Sequence, residues 1–191
     1  MKKKILITGG AGFIGLHLTE GLLAKGYQVD VLDNFARGVS DPDLERVLKN
    51  EDAKLIECDL LDKDAIQKLD KDYFAIFHLA AIIGVANVLE RPYDVLVANT
   101  ELLVNMLDFA KQQLDLQRFV FASTSEIYAG TLRYFDLAIP TPEDTPLAVT
   151  DLSHPRTSYM LSKIYGEALC NQSGVPFTIV RPHNIYGPRM G

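Results

Sequence analysis

The chain has no tryptophan, only two cysteines in 191 residues, and no long apolar run. Cys58 and Cys170 are too few for a disulfide framework and stand at no metal-binding spacing, so no metal is expected. No stretch reaches the roughly 18 apolar residues that a membrane-spanning helix needs. Lys2, Lys3 and Lys4 lead only into Ile5–Ile7, too short a run for a signal peptide. Basic charge is scarce as well: 19 Lys and Arg face 25 Asp and Glu, a net charge of −6. A nucleic-acid binder would carry the opposite, basic footprint. The expectation is a cytoplasmic protein whose partner is neither nucleic acid nor membrane.

What is present is a globular composition, 48% hydrophobic and 23% charged, in a length suited to one domain over 1–191. Strand-like and helix-like segments alternate. Ile5–Ile7, Gln28–Leu32, Lys54–Glu57, Tyr73–His78, Phe119–Ala122 and Phe177–Val180 read as strands. Phe13–Lys25, Leu44–Leu48, Lys63–Leu69, Tyr93–Gln113 and Thr157–Asn171 read as helices. This alternation predicts an α/β fold, a doubly wound parallel sheet of Rossmann type covered on both faces with right-handed crossovers. The stretch Ala129–Pro155, with Pro140, Pro142, Pro146 and Pro155, reads as one long irregular loop.

The glycine pattern organises the rest. Gly10, Gly12 and Gly15 satisfy G-x-G-x-x-G between a predicted strand and a predicted helix. In that context glycines permit a tight turn and close approach of backbone to a pyrophosphate, and the helix N-terminus attracts the phosphates. Asp33 stands 18 residues beyond Gly15, at the end of the second strand. There a carboxylate accepts hydrogen bonds from an adenosine ribose, which favours NAD over NADP. Arg37 could hold a 2′-phosphate, but Asp33 would repel one, so NAD is the expected cofactor. Asp59 ends the third strand and is either an adenine ligand or a turn residue.

Three further stretches end strands and should meet at the same crevice: His78–Ala81, Ser123–Glu126 and Arg181–Asn184. Tyr159 and Lys163 stand one helical turn apart on one face. A nearby ammonium and a cationic nicotinamide would both favour the Tyr159 phenolate. Such a tyrosine can take a proton from a substrate hydroxyl, with a Ser or Thr hydroxyl orienting that oxygen.

TGGAGFIG, Asp33, HLAA, STSEIY, YMLSK and RPHNIYGPR, in this order, resemble the extended short-chain dehydrogenase/reductase family across essentially the whole chain. Members include NAD-dependent nucleotide-sugar epimerases, 4,6-dehydratases and decarboxylases. The resemblance implies a catalytic Thr124, Tyr159 and Lys163, with Ser123 and Ser125 as neighbouring alternatives for the hydroxyl. It implies cofactor contacts at Gly9, Gly12, Phe13, Ile14, Gly15, Asp33, Asp59, Leu60, Ala80, Ala81 and Asn99, with Asn34, Arg37 and Leu79 beside them. Tyr159 and Lys163 would also meet the nicotinamide ribose. Pro182 and Ile185 would lie near the nicotinamide, and Gly84, Thr124 and Asn184 near the substrate. His78 reads as structural.

Glu126 refines the expectation. A Thr-x-Glu arrangement resembles 4,6-dehydratases and uronate decarboxylases, in which a second acid/base assists elimination or decarboxylation; a plain 4-epimerase is the alternative. The same resemblance implies a nucleotide-sugar substrate and a homodimer through the 93–113 and 157–171 helices. It also implies a C-terminal substrate lid beyond GPRMG, so the chain reads as the N-terminal part of a longer enzyme. A non-catalytic dinucleotide-binding module is the reading from another class. Ala129 stands where many members have glycine.

Overall fold

In strand β1 (Lys4–Thr8), Ile5 and Ile7 face one side and Leu6 the other, and all three are buried. Burial of each such side chain contributes about 2 kcal/mol. That two-sided run makes β1 the centre of a parallel sheet. The computed structural model describes residues 2–190. Its other strands are β2 (Gln28–Asp33), β3 (Ala53–Glu57), β4 (Ala75–His78), β5 (Arg118–Ala122) and β6 (Phe177–Val180). They pair in parallel in the order β3-β2-β1-β4-β5-β6, as the alternation predicted.

Helices α1 (Phe13–Ala24) and α2 (Pro42–Leu48) cover one face, where Ile5, Ile7, Val29 and Val31 meet Leu16, Leu22, Leu44 and Val47. On the other face, α3 (Lys63–Gln67), α5 (Pro92–Ala110) and α7 (Thr157–Gln172) pack Ile66, Leu103, Met106 and Cys170 onto Leu6, Ile76, Phe119 and Phe121. The chain changes faces between β3 and β4, so a crevice opens at the carboxyl edge between β1 and β4. Helices α5 and α7, the pair expected to form a homodimer, lie side by side with Tyr93 and Tyr165 exposed. Among the described residues, no helix is long and apolar enough to cross a membrane.

One helix was not expected, and two expectations need correction. Val85–Glu90, for which no element was expected, forms helix α4, opened by Gly84 at φ +102° with no capping side chain to announce it. The supposed irregular stretch from Ala129 begins with helix α6 (Ala129–Tyr134), which continues a 3₁₀ turn, Ser125–Tyr128. Thr131 Oγ1 donates to Pro146 O and accepts from Ala148 N, which anchors the prolines that follow. The sheet is also not covered on both faces throughout: in β6, Phe177 and Ile179 are half-buried while Thr178 and Val180 are exposed.

Candidate active site

The glycine turn is built by close approach. Gly9 adopts φ +68°, and a Cβ there would lie 2.9 Å from Ala80 N, so the turn rests on the end of β4. A Cβ on Gly15 would stand 2.4 Å from Gly9 O. Gly12 opens α1 with extended backbone, no side chain caps the helix, and no acidic residue stands in its first turn. Phe13, Ile14 and Gly15 thus bring backbone N–H groups and the positive helix end to the glycine turn, the donor set a pyrophosphate requires.

Asp33 ends β2 with its carboxylate nearly buried. Oδ2 accepts from Ala11 N at 3.0 Å and Oδ1 from Phe35 N at 2.9 Å. Both oxygens keep a lone pair for a ribose hydroxyl, so the residues present fit a dinucleotide at both its phosphates and its ribose. Gly38 crosses so close that a Cβ would lie 2.7 Å from Asp33 Oδ1. Asn34 accepts from Ala36 N in a local turn, and Arg37 is exposed. Asp59 is exposed and accepts from Leu61 N, while Leu60 is buried with its carbonyl bound by Asn105.

Across the crevice, Leu79, Ala80 and Ala81 leave β4 half-buried. Asn99 clamps the next residue, its Oδ1 accepting from Ile82 N at 2.7 Å and its Nδ2 donating to Ile82 O at 3.0 Å. Asn99 therefore shapes this loop from below. Gly84 is exposed beyond it. Pro182 O accepts from Ser125 N, which ties the segment after β6 to the one after β5, while Asn184 and Ile185 are exposed.

Thr124, Glu126, Tyr159 and Lys163 come together at the ends of β5 and α7. Thr124 Oγ1 accepts from Glu126 N at 3.2 Å, and its hydroxyl lies near enough to bear on the Tyr159 phenol. Ser123, by contrast, donates to Glu167 Oε1 at 2.6 Å within the core, so its hydroxyl is committed elsewhere. Lys163 is buried and donates to Ala122 O at 2.8 Å, with Nζ 5.7 Å from the Tyr159 ring centre. Of the two causes expected to favour the Tyr159 phenolate, the chain itself supplies only the Lys163 ammonium, and it does not prevail. Burial, then the Glu126 carboxylate, push the phenol up to about 12 despite the nearby Thr124 hydroxyl. Burial also brings Lys163 down to about 8. Desolvation outweighs the ammonium because Lys163 points at a backbone carbonyl.

His78 lies beneath this group, stacked on Phe119 and Phe121, with Nδ1 2.9 Å from Thr8 Oγ1. Thr8 Oγ1 accepts from Ala80 N, leaving its hydroxyl to donate to His78 Nδ1. Burial first, then the nearby Lys163 ammonium, hold the imidazole down at about 3. Unfolded, it takes up a proton near pH 6.5. Between these values the unfolded chain binds the extra proton, so stability falls as pH drops through the window, by up to about 3 kcal/mol at pH 4. His78→Gln should flatten the acid limb of the urea midpoint against pH relative to wild type; equal slopes would contradict a neutral buried His78.

Sequence reasoning missed the network beside the site. Glu167 receives Arg181 Nε at 3.0 Å and Nη2 at 2.7 Å, while Arg181 Nη1 reaches Tyr128 Oη and Glu143 O. The available signal was the four-residue step Tyr159, Lys163, Glu167 along one helix face.

A family model described as "NAD dependent epimerase/dehydratase family" matches residues 5–191. The chain is 39% identical to a UDP-N-acetyl-alpha-D-glucosaminuronate decarboxylase of Bacillus cytotoxicus, over 99% of this chain and 56% of that one. It superposes on a crystal structure of UDP-galactose 4-epimerase with a TM-score of 0.78 at 33% identity, covering 98% of this chain and 58% of that one. With the Bordetella bronchiseptica enzyme WbmG in complex with NAD, the TM-score is 0.79 at 28% identity, over 100% of this chain and 56% of that one. The chain spans about half the length of the curated relatives it matches.

Proposed function

The chain belongs to the NAD-dependent epimerase/dehydratase family, and we propose that it acts on a nucleotide sugar by way of a transient 4-keto sugar. The observation that carries this reading is the meeting of Thr124, Tyr159 and Lys163 with Glu126 at the carboxyl edge of a sheet whose first turn is a phosphate cradle. Bound in this crevice, the nicotinamide supplies the hydride acceptor and donor. Tyr159 as its phenolate, the form that a bound cationic nicotinamide would favour against the burial of the site, takes the proton of the sugar hydroxyl, and the nearby Thr124 Oγ1 orients the same oxygen. Lys163, anchored on Ala122 O, keeps further N–H donors for the nicotinamide ribose. A 4-keto group acidifies C5 and turns a 6-carboxylate into a β-keto acid, so a second acid/base becomes useful. Glu126, exposed and close enough to bear on Tyr159, supports 4,6-dehydration or uronate decarboxylation over plain 4-epimerisation.

Incubation with NAD and a panel of UDP-sugars, followed by mass spectrometry, tests this. Loss of carbon dioxide identifies a decarboxylase, loss of water a dehydratase, and an isobaric product an epimerase. Glu126→Gln should keep NAD affinity within about twofold while turnover falls roughly 100-fold or more; unchanged turnover removes Glu126 from the chemistry. A second reading is a non-catalytic dinucleotide module, for which the glycine turn and the Asp33 carboxylate alone would suffice. NAD binding with no product from any sugar supports that one.

A further inference from the structure

The segment after β6 doubles back across the mouth of α1. Gly187 rests on the Phe13 ring, where a Cβ would lie 3.3 Å from Cζ. His17 Nε2 stands 3.1 Å from Pro188 O. Arg189 follows at φ +68°, a conformation that a residue other than glycine keeps only when its surroundings hold it. Those surroundings are its own side chain's partners. Nε donates to Asp41 Oδ2 at 2.7 Å, Nη1 to Ala11 O at 3.2 Å and Gly12 O at 3.4 Å, and Nη2 to Val39 O at 3.0 Å. The guanidinium is largely buried, and Asp41 in turn caps α2 through Leu44 N.

Arg189 thus bolts together two stretches at their outer ends, beyond the Asp33 carboxylate that joins them within. One is the glycine turn, which cradles phosphates; the other is the loop after Asp33, which closes over the ribose carboxylate. We propose that Arg189 is a positioning residue for the dinucleotide: a clasp that holds the Ala36–Asp41 loop against the glycine turn, so that phosphate cradle and ribose carboxylate keep their spacing before the ligand arrives. It acts through the loops, since its donors are already committed to protein acceptors. Asp41 is its counter-charge, and the pair holds that carboxyl below its usual range. The segment lies outside both hydrophobic cores, so releasing the clasp should leave the sheet intact.

The inference rests on the crevice being the dinucleotide site, and two measurements on the full chain separate the two claims. The first is hydrogen exchange without ligand. In Arg189→Ala, and in Asp41→Asn as a second variant, amides of residues 11–14 and 36–41 should exchange faster while β1 and β4 stay protected. The second is NAD binding by titration calorimetry and displacement kinetics. A competent fraction reduced to about 0.1–0.01 weakens affinity about 10- to 100-fold, chiefly through faster release. Arg189→Lys should not restore it, because one ammonium cannot span four separate acceptors. NAD affinity within twofold of wild type in Arg189→Ala overturns the clasp even if exchange rises. A wild-type chain that binds no NAD overturns the site reading itself and the clasp with it.

Discussion

Replacing Glu167 by glutamine is expected to lower the unfolding free energy by about 3 kcal/mol. The carboxylate accepts from Ser123 and, in bidentate fashion, from Arg181. Glutamine keeps the shape and removes the charge, leaving a guanidinium with about a fifth of its side chain exposed and no counter-ion. Breaking a well-buried pair costs about 3–5 kcal/mol, and the partial exposure of Arg181 places this case at the low end. Domains of this size hold roughly 5–15 kcal/mol in all, so the loss is a large share. Replacing both partners together, Glu167→Leu with Arg181→Met, should recover most of it, because no unpaired charge is then buried. Urea midpoints of the two single variants and the double variant decide the matter; a Glu167→Gln midpoint equal to wild type would show the pair to be inert. Because Ser123 precedes Thr124 and Glu167 continues the Tyr159–Lys163 stripe, the damage should reach the site by letting α7 shift against β5.

Gly15→Ala should abolish dinucleotide binding, with affinity falling about 100-fold or more, equivalent to about 2.7 kcal/mol. The added Cβ would stand 2.4 Å from Gly9 O and 2.6 Å from Gly10 Cα, and both obstacles are backbone. Relief requires the turn to open, which moves the cradle and costs about 1–3 kcal/mol of stability besides. Gly21, in the same helix, is the control: nothing lies within 4 Å of its Cβ position. Gly21→Ala should stabilise by up to about 1 kcal/mol through helix propensity and leave NAD affinity unchanged. Calorimetric titration and thermal melting of both variants test the contrast. Tight NAD binding by Gly15→Ala would show that the turn tolerates a Cβ and that the close approach is not what makes the site.

The strands and main helices were legible because each carries its own local signal: a short two-sided apolar run, or apolar positions at helical spacing. Helices α4 and α6 were illegible because neither has a capping side chain at its start, unlike the equally short α2 and α3, and each owes its place to neighbours. At Gly130 a Cβ would lie 1.8 Å from Ala148 O, a constraint that exists only once the later segment has folded back. The uncovered face of β6 is likewise invisible in Phe177–Val180, whose residues would all suit a buried strand.

By itself, the sequence determined the doubly wound α/β order, the phosphate turn with its strand-end Asp33, and family membership through six ordered motifs. These rest on residues that are close together in the chain, where spacing dictates geometry. Only the tertiary structure set Ser123 aside from the candidate hydroxyls, because Glu167, 44 residues away, claims it. It alone put Tyr159 above rather than below its usual range, since desolvation depends on what packs around a group. It alone joined Arg189 to Asp41 across 148 residues. Charge environment and long-range hydrogen bonding are properties of the packed chain, and no local pattern encodes them.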